Sequence, residues 1–432
     1  MTNQTLQILL ATYPLEGHIS AAAPLARALV DSGHSVRWYT AEHFEPAVRR
    51  SGAVLVPMGS DALPADLAGR PAPTPPRGRL ARIRWAVTES FLGPSAAQFE
   101  ELRAALEQHP ADVVVTDFAV TGAAMLHDSG GPPWTSFGLT PLMTPGPGLA
   151  PFGPGIPPGF TRMARLRNRA MTWLSNALIV RPMITFDNRI RAECGVEPAS
   201  RPFVYPSPDL HLQLGVASLE YPRPPMPNVH FVGAMARPMR SVDLPPWWPE
   251  LIREQRPVVH VTQGTVMDRD GELLHPTIDA LAEEDVLVVA ATGRFELPGP
   301  LPSNVRTATY LPHDQLLPHL SVMVTNGGYG GVQQSLQHGV PLVVAGDGQD
   351  KAEVAARVAW SGAGINLRTG TPSAQQVGDA VRTVLDDPGY ARAAQRIAAE
   401  FAAHDAAAES VTLIEDLAVR GHHLDKHWSE VS

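Results

Sequence analysis

Short runs rich in Val, Ile and Leu alternate with alanine-rich segments of helical period along the whole chain, and few folds are compatible with that order. The alternation predicts βαβ units, in which a helix connects two parallel strands of one sheet. We therefore expect an α/β protein with two doubly wound layers in tandem. Strands are predicted at residues 6–13, 35–40, 113–116 and 135–139 in the first layer and at 258–262, 286–290, 322–325 and 342–345 in the second, with helices in the first half at about 20–32 and 96–107.

The chain of 432 residues is long enough for two domains of about 200 residues each. The run Pro245-Pro246-Trp247-Trp248-Pro249 is expected to break regular structure between them. Prolines also exclude a helix from residues 141–158, which we interpret either as a loop that lines a binding cleft or as a surface insertion. The predicted divisions are a first domain at 1–235, a linker at 236–255, a second domain at 256–406 and a C-terminal segment at 407–432.

Composition and charge exclude several classes of protein. The chain has 34 Lys and Arg against 43 Asp and Glu, a net charge of -9, so we expect no basic surface for nucleic acid. The lone Cys194 cannot form a disulfide within the chain, which fits a reducing cytoplasm. No run approaches the roughly 20 apolar residues of a membrane span, and the first residues lack a signal-peptide pattern. The sequence predicts a cytoplasmic protein without a nucleic-acid or membrane partner, and it leaves the oligomeric state open.

A strand, a glycine-rich turn and a helix follow one another in the second half. Residues 322–325 precede Asn326-Gly327-Gly328-Tyr329-Gly330-Gly331, and a helix is predicted at 332–338, before Gly339 and Pro341. Free N–H groups and the positive dipole at a helix start attract anions, and glycine lets a diphosphate approach the backbone. The spacing is not G-x-G-x-x-G, so a nicotinamide dehydrogenase is not favoured. We interpret the turn as a phosphate site, although tight strand–helix packing explains the glycines equally well.

The next predicted strand leads into Gly346-Asp347-Gly348-Gln349-Asp350-Lys351, at the sheet edge where ligands of parallel sheets bind. The Asp350 carboxylate can accept hydrogen bonds from two neighbouring hydroxyls. Lys351 adds donors, and it is one of two lysines in the chain, with Lys426. We interpret Lys351 as a specific requirement of the site, with chance as the alternative.

A histidine and an aspartate follow two strands of the first layer. His18 ends Pro14-Leu15-Glu16-Gly17-His18, ahead of a helix expected to begin at Ser20, and Asp117 comes directly after residues 113–116. Because parallel strands end at one edge of a sheet, both side chains are expected to face a cleft there. A neutral imidazole can take a proton from a hydroxyl, and a carboxylate can hold its tautomer and stabilise the imidazolium. The pair is a candidate general base, although a loop histidine with a structural role is the alternative.

Two weaker patterns contain candidate metal ligands. Asp268-Arg269-Asp270 matches a short acidic pattern that holds a metal in some nucleotide-sugar chemistry, but three residues match frequently by chance. His422, His423 and His427 can also ligate a metal. A solvated tail explains them better, so no metal site is predicted.

These segments resemble the nucleotide-sugar-dependent glycosyltransferases of family 1, the GT-B superfamily that includes macrolide and plant secondary-metabolite glucosyltransferases. The resemblance spans nearly the whole chain, and the order and spacing of its segments are specific. The matching segments are Gly17-His18-Ile19, Pro24-Leu25-Ala26-Arg27-Ala28-Leu29, Tyr310-Leu311-Pro312-His313, Val324-Thr325-Asn326-Gly327-Gly328, Gly339-Val340-Pro341 and Asp350.

The resemblance implies two Rossmann-like doubly wound domains that face each other across a cleft, with a C-terminal helix from about residue 407 crossing back to the first domain. It implies that His18 deprotonates an acceptor hydroxyl with Asp117 as its partner, and that the sugar is transferred with inversion and without a metal or other cofactor. The second domain would hold the donor, UDP-glucose or a dTDP-sugar, as co-substrate. The implied donor contacts are Gly264, Thr265, Tyr310, Leu311, His313, Asn326, Gly327, Gly328, Gly330, Gly331, Val332, Gln334, Asp350 and Lys351.

Within this set the resemblance implies that Tyr310 stacks on the donor base and that Asp350 binds sugar hydroxyls. Four positions depart from the common family pattern. Asn326 stands where a histidine usually faces the phosphates, Tyr310 replaces a tryptophan, Gln334 replaces a ribose-binding glutamate and Lys351 replaces a glutamine. The two amides keep hydrogen-bonding capacity, and UDP-glucose is expected before dTDP-sugars.

The sequence therefore predicts a metal-independent, inverting hexosyltransferase that acts on an apolar natural product, such as a macrolide, a rifamycin-like ansamycin or a phenolic. Apolar side chains near the proline-rich loop are the candidate acceptor contacts, and core packing explains them almost as well. They are Leu142, Met143, Phe152 and Phe160. Two other functions stay open: a nucleotide-sugar epimerase of the same architecture, and a non-catalytic accessory protein that binds a nucleotide sugar.

Overall fold

A seven-stranded parallel sheet forms the first half of the protein. The computed structural model describes residues 5–65, 67–70, 74–235, 243–264, 272–293, 295, 297, 299–348 and 350–429, with the backbone alone at 79 and 422–429. The strands are β1 (Gln7–Ala11), β2 (Ser35–Thr40), β3 (Val54–Pro57), β4 (Val113–Asp117), β5 (Trp134–Gly138), β6 (Leu210–Gln213) and β7 (Val229–Phe231). They lie side by side in the order β3-β2-β1-β4-β5-β6-β7.

A six-stranded parallel sheet forms the second half. Its strands are β8 (Val258–Thr262), β9 (Leu287–Ala291), β10 (Val305–Ala308), β11 (Val322–Thr325), β12 (Leu342–Val344) and β13 (Gly364–Asn366). They are ordered β10-β9-β8-β11-β12-β13. The predicted α/β class with two doubly wound sheets is confirmed.

Helices cover both faces of each sheet, which is why every residue of β4 and of β8 is buried. The helices are α1 (Glu16–Asp31), α2 (Glu45–Ser51), α3 (Arg79–Val87), α4 (Ser95–Gln108), α5 (Gly122–Asp128), α6 (Arg162–Ser175), α7 (Arg181–Glu193), α8 (Trp248–Arg253), α9 (Leu274–Leu281), α10 (His313–Leu316), α11 (Tyr329–Gln337), α12 (Lys351–Ser361), α13 (Ala374–Asp386), α14 (Pro388–Ala402) and α15 (Ala406–Ser429). One π-helical turn, Asn176–Val180, joins α6 to α7.

Each sheet has a point where the strand order reverses. The reversal lies between β1 and β4 in the first sheet and between β8 and β11 in the second. At such a switch point the connections leave to opposite sides, which opens a crevice at the carboxyl ends of the two strands. His18 and Asp117 follow or end the first pair of strands, and Gly264 and Asn326 follow the second. Both candidate constellations therefore lie where ligands of doubly wound sheets bind.

The last helix, α15, packs on the core of the first sheet. Ile414 is fully buried and Ala418 nearly so, in the same apolar cluster as Leu10 of β1 and Leu212 of β6. His34 Nε2 lies 3.1 Å from Glu415 Oε1, which adds a polar contact between α15 and the loop before β2. The C-terminal part of the chain thus shares its core with the N-terminal half.

The structure corrects the interpretation of the tryptophan–proline run. We expected residues 245–249 to break regular structure, yet α8 begins at Trp248 and has Pro249 in its first turn. Proline fits there because the first helical N–H groups have no partner within the helix. Residues 236–242 of the predicted linker lie outside the described residues. The short strands β3, β6, β10 and β13 were not predicted, because their apolar runs are brief or interrupted by polar residues.

Among the residues that the structure describes, no helix is both long enough and apolar enough to cross a bilayer.

Two buried histidines in the sheets predict a loss of stability in acid. Burial lowers the pKa of His211 from 6.5 to about 4 and that of His260 to about 3, the latter with help from His313. The unfolded chain protonates both below pH 6.5 while the folded chain does not, so their full contribution to stability is present above pH 6.5. As the pH falls from 6.5 towards 5 we expect the free energy of unfolding to fall with a slope that approaches about 1.4 kcal/mol per pH unit for each histidine.

Urea unfolding at several pH values, followed by tryptophan fluorescence, measures this slope, and the variant His211→Gln is expected to reduce it. His127 does not offset the effect. Asp128 and Asp209 raise its pKa to about 9, so its stabilisation is complete below pH 6.5 and is lost only as the pH rises through 9. Equal stability at pH 6.5 and pH 5 would contradict the prediction.

Candidate active site

His18 and Asp117 form a hydrogen-bonded pair at the switch point of the first sheet. His18 Nδ1 lies 2.8 Å from Asp117 Oδ2. The carboxylate is fully buried, whereas the imidazole side chain is 16% exposed. A carboxylate only accepts, so Nδ1 bears the proton of the neutral ring and Nε2 is the basic atom. The predicted pair is therefore assembled in the structure, with its tautomer set by the buried partner.

Backbone N–H groups hold the Asp117 carboxylate in place. Oδ2 accepts a second hydrogen bond from Tyr13 N at 2.7 Å, and Oδ1 accepts one from Ala119 N at 2.7 Å. Burying a carboxylate is costly unless its oxygens are hydrogen-bonded. Tyr13 follows β1 and Ala119 follows β4, so both strands of the switch point fix the group that orients His18.

The first helix begins earlier than expected. We predicted a start at Ser20, but α1 begins at Glu16 and His18 lies in its first turn rather than in a loop. Leu15 has extended dihedrals and is the N-cap, and the negative Glu16 side chain favours the positive end of the helix dipole. His18 N donates to Leu15 O at 2.9 Å. A helical backbone therefore fixes the direction of the imidazole.

Aromatic rings surround His18, and the sequence interpretation missed them. The ring centroid of His18 lies 5.4 Å from that of Tyr13 and 5.9 Å from that of Phe118. Phe91 extends the group, 6.2 Å from Phe118 and 5.9 Å from Phe203. Tyr13 and Phe118 could have been found, because each lies just beyond a strand end at the same sheet edge. Together they form an aromatic wall beside the candidate base.

The turns after β8 and β11 contact each other at the second switch point. Asn326 Oδ1 accepts from Gly328 N at 3.3 Å, and Asn326 Nδ2 donates to the Gln263 carbonyl next to Gly264. Gly327 has φ of 85°, and a β-carbon there would lie 2.9 Å from Val344 Cγ1. The left-handed backbone and the close neighbour both require glycine. Asn326 thus closes the glycine turn in addition to any part it takes in binding a ligand.

The helix after this turn also begins earlier than predicted. It starts at Tyr329 rather than Val332, so Gly330 and Gly331 belong to its first turn. Val332 is fully buried, and its N–H donates to Gly328 O at 3.0 Å. The N–H groups available to an anion are consequently those of residues 329–331, where the helix dipole is also positive.

Asp350 and Lys351 lie in a third turn beside the first two. Asp350 is the N-cap of α12 and Lys351 is its first residue. A β-carbon on Gly327 would lie 3.3 Å from Lys351 O, so the β11 and β12 turns adjoin. Burial raises the pKa of the Asp350 carboxyl, and the charges of Lys351 and Arg357 oppose that rise. The sequence-predicted donor residues of these turns are brought together.

The predicted contacts for a donor base are in different environments. Tyr310 is 45% exposed and open to stacking, whereas Leu311 is 2% exposed and packs in a core cluster with Trp248. His313 Nδ1 lies 3.0 Å from Gln334 Oε1. The His260 ring lies edge-on to His313, with centroids 5.4 Å apart. The side chain of Leu311 is therefore structural, and His313 and Gln334 form one hydrogen-bonded unit.

The four candidate acceptor residues differ widely in exposure. Leu142 is 4% exposed, Phe160 is 51% exposed near the start of α6, and Met143 and Phe152 are intermediate. Residues 141–158 contain no helix, as predicted. A cavity of about 560 Å³ lies between this loop and the second sheet; its lining includes Ile156, Arg167, Gly346, Asp347, Asn366 and Arg368.

Buried charges connect the proline-rich loop to α12; we call Arg357, Glu220, Glu353 and Arg223 the Arg357 cluster. Arg357 Nε lies 2.6 Å from Glu220 Oε1, and Arg357 Nη1 lies 2.8 Å from Glu353 Oε2. Arg223 Nη1 is 2.9 Å from Glu220 Oε1. Glu353 Oε1 accepts from the N–H groups of Gly153 and Gly155, and Glu220 Oε2 accepts from that of Leu142. The cluster therefore fixes the loop of the first half against the helix that follows Asp350.

Some candidate residues lie outside the described part of the chain. Thr265 and the Asp268-Arg269-Asp270 run do so entirely, and the side chains of His422, His423 and His427 do so as well. Within the described residues, no group of three or more His, Cys, Asp or Glu side chains could hold a metal ion.

Comparisons with known proteins show which family the chain belongs to. Residues 275–417 match the family model described as the C-terminal domain of erythromycin biosynthesis protein CIII-like proteins. The chain is 42% identical to 4'-demethylrebeccamycin synthase of Lentzea aerocolonigenes, over 95% of this chain and 99% of that protein. It is 34% identical to UDP-glycosyltransferase 2 of Phaeomoniella chlamydospora, over 95% of each chain.

Solved structures of glycosyltransferases have the same fold. The calicheamicin glycosyltransferase CalG4 superposes with a TM-score of 0.74 at 22% identity, over 96% of this chain and 99% of that one. The glycosyltransferase of kitacinnamycin gives 0.71 at 22% identity over the same shares of the two chains. These likenesses identify the two domains as Rossmann-like and the architecture as GT-B.

None of these relatives is named as a nucleotide-sugar epimerase or as a non-catalytic accessory protein, the two alternative functions that the sequence left open. Identity of 34% along 95% of a UDP-glycosyltransferase is enough to define membership, and the chain therefore belongs to the family 1, macrolide-type nucleotide-sugar glycosyltransferases and is itself a glycosyltransferase.

Proposed function

We propose that the protein transfers a sugar, with inversion and without a metal, from a nucleoside-diphosphate donor to a hydroxyl of an apolar natural product, with His18 as the general base. The observation that supports this most is the 2.8 Å contact between His18 Nδ1 and the buried Asp117 carboxylate. It leaves Nε2 as the atom that accepts a proton. Asp117 stabilises the imidazolium that forms.

The residues at the two switch points account for every proton and electron pair of the proposed reaction. His18 Nε2 removes the proton of the acceptor hydroxyl as its oxygen bonds to the anomeric carbon. The bond from that carbon to the diphosphate breaks, and the diphosphate leaves with the electron pair. Attack on the face opposite the leaving group inverts the configuration. The first N–H groups of α11 and its dipole stabilise the negative charge that develops on the diphosphate.

UDP-glucose is the donor we propose, with dTDP-sugars second. Relatives named UDP-glucosyltransferase include that of Beauveria bassiana, 33% identical over 91% of this chain. The exposed ring of Tyr310 can stack on a pyrimidine base. His313 follows it three residues later and is hydrogen-bonded to Gln334, so that pair can serve the ribose. The aromatic wall beside His18 and the name of the demethylrebeccamycin synthase favour a natural-product acceptor with a flat apolar surface.

Incubation of the protein with UDP-glucose or a dTDP-sugar and a panel of macrolide, ansamycin and phenolic acceptors tests this proposal. Mass spectrometry is expected to detect an acceptor enlarged by one hexose. NMR of the anomeric proton is expected to give the configuration opposite to that of the donor. No transfer to any acceptor, or transfer with retention, would contradict the proposed reaction.

The substitution Asp350→Asn tests the role of the sugar-binding carboxylate. An amide offers one acceptor oxygen where the carboxylate offers two. We expect kcat/KM for the donor sugar to fall by about 10- to 100-fold, the equivalent of one or two charge-assisted hydrogen bonds, while the Kd of UDP alone stays the same. Steady-state kinetics and calorimetry measure the two quantities. Asp347→Asn, in the same turn but exposed, is the matched control, and an equal loss of UDP affinity would contradict the assignment.

A further inference from the structure

Helix α6 turns its apolar side away from the protein. Met163 is 76% exposed, Leu166 64% and Trp173 71%, whereas the one buried residue of this helix is the polar Asn168. With 3.6 residues per turn, one arc of the helix holds Met163, Leu166, Ala170, Trp173 and Leu174, and Asn168 lies opposite. A surface helix normally buries its apolar stripe. The reversed orientation of α6 leaves an apolar stripe without cover in the part of the chain that the structure describes.

The apolar surface continues beyond α6. Leu178 in the π-helical turn is 36% exposed, and Ile83 of α3 is 40% exposed. The Arg84 guanidinium donates to the Leu178 carbonyl, which joins α3 to that turn. We call the surface formed by Ile83, Met163, Leu166, Trp173, Leu174 and Leu178 the α3–α6 face. Contiguous apolar patches of this kind mark interaction sites, whereas single exposed apolar residues need no explanation.

Arginines border the α3–α6 face on both sides. On the helical wheel Arg162 and Arg169 flank one edge of the apolar arc and Arg167 flanks the other, and all three are exposed. Residues 159–186 contain no aspartate or glutamate, in a chain whose net charge is -9. The face is therefore apolar along its centre and positive along its edges, which is the reverse of the charge of the whole protein.

We propose that the α3–α6 face docks on the surface of an anionic lipid bilayer, with α6 in the plane of the interface. An interfacial helix inserts its apolar stripe among the acyl chains, while flanking arginines extend to lipid phosphates and tryptophan lies at the headgroup level. Each arginine near such a surface strengthens binding by about fivefold. Peripheral docking needs no spanning segment. It revises the expectation from the sequence that no membrane takes part.

A second copy of the chain fits this face less well. A two-fold contact would bring the same patch of both copies together, and the bordering arginines would then oppose one another, since residues 159–186 hold no acidic side chain. A small acceptor is also too short, because the stripe from Met163 to Leu174 extends about 16 Å along α6 and continues to Ile83. A lipid surface covers the whole face and supplies the negative charge.

Flotation of the full-length protein with lipid vesicles tests the proposal without any need for transferase activity. We expect binding to vesicles of phosphatidylcholine and phosphatidylglycerol in equal amounts, weaker binding at high salt, and little binding to phosphatidylcholine alone. Met163→Ser/Leu166→Ser is expected to weaken binding at least about tenfold. Arg162→Gln/Arg169→Gln is expected to weaken it about 25-fold at low salt.

Matched controls separate the α3–α6 face from general surface effects. Val54→Ser/Leu301→Ser removes two exposed apolar residues elsewhere, and Arg392→Gln/Arg396→Gln removes two exposed arginines of α14; both are expected to bind vesicles as the parent does. Equal binding by parent and Met163→Ser/Leu166→Ser would overturn the proposal, as would no binding to the anionic vesicles. A dimer in light scattering that this variant abolishes, without vesicle binding by the parent, would replace the lipid with a second copy.

Discussion

Replacing His18 with alanine is expected to lower kcat by about 10²- to 10⁴-fold, the usual contribution of a general base. The methyl group cannot accept the hydroxyl proton, and the acceptor alone is a poor nucleophile at neutral pH. Because His18 belongs to the first domain and the donor turns belong to the second, the Kd of UDP is expected to stay within twofold of that of the parent. Steady-state kinetics with saturating donor and calorimetric titration with UDP measure the two effects.

Two further variants make this prediction specific. Asp117→Asn places an amide against His18 Nδ1 and disturbs the tautomer, so it is also expected to lower kcat while UDP binding is preserved. His109→Ala removes an exposed histidine at the end of α4 and is expected to leave kcat unchanged. Unchanged turnover in His18→Ala would exclude His18 as the base. A parallel loss of kcat and UDP affinity would indicate a structural role instead.

Arg357→Met is expected to lower the free energy of unfolding by about 3–5 kcal/mol, the cost of leaving buried charge unpaired. Methionine occupies much of the space of the aliphatic part of arginine, so the loss of stability comes from the charge rather than from a cavity. Glu220 and Glu353, at 6% and 4% side-chain exposure, would then keep their charges in a buried site with only Arg223 beside them. Urea unfolding at neutral pH, followed by tryptophan fluorescence and circular dichroism, measures the change.

The control for this prediction is Arg382, which, like Arg357, pairs with two carboxylates but is exposed to solvent. Arg382 pairs with Glu284 and Asp379 and its side chain is 46% exposed. Exposed pairs contribute little, so Arg382→Met is expected to change stability by less than about 1 kcal/mol. Adding Glu353→Gln to Arg357→Met neutralises the carboxylate that has lost its partner, while Glu220 keeps its pair with Arg223, and is expected to restore part of the lost stability. An Arg357→Met effect as small as that of Arg382→Met would contradict the prediction.

The pairing of His18 with Asp117 could be predicted because both residues lie at strand ends. Parallel strands bring their carboxyl ends to one edge, so two residues 99 positions apart in sequence are placed together by topology alone. The same logic placed Asn326 and Asp350 at one edge of the second sheet. The sequence pattern misplaced the starts of two helices at these sites. Helices α1 and α11 both begin before the predicted residue. The prediction was late because glycine in a first helical turn is typical of a loop.

The Arg357 cluster could not be predicted in this way. Glu220 and Arg357 are 137 residues apart, and neither lies at a strand end, so no periodicity links them. The orientation of α6 was equally hidden, since a stripe of Met163, Leu166 and Trp173 has the same period whether it faces the core or solvent. Both features depend on how elements pack in three dimensions, which a pattern along the sequence does not contain.

The return of α15 to the first sheet means that the chain passes between the domains twice, once between β7 and α8 and once between α14 and α15. The two passages touch, because a β-carbon on Gly233 would lie 2.7 Å from that of His404. A single tether would let one domain swivel freely about it. Two adjacent connections restrict that rotation more than one would, so we expect the relative motion of the two domains to be mainly an opening and closing.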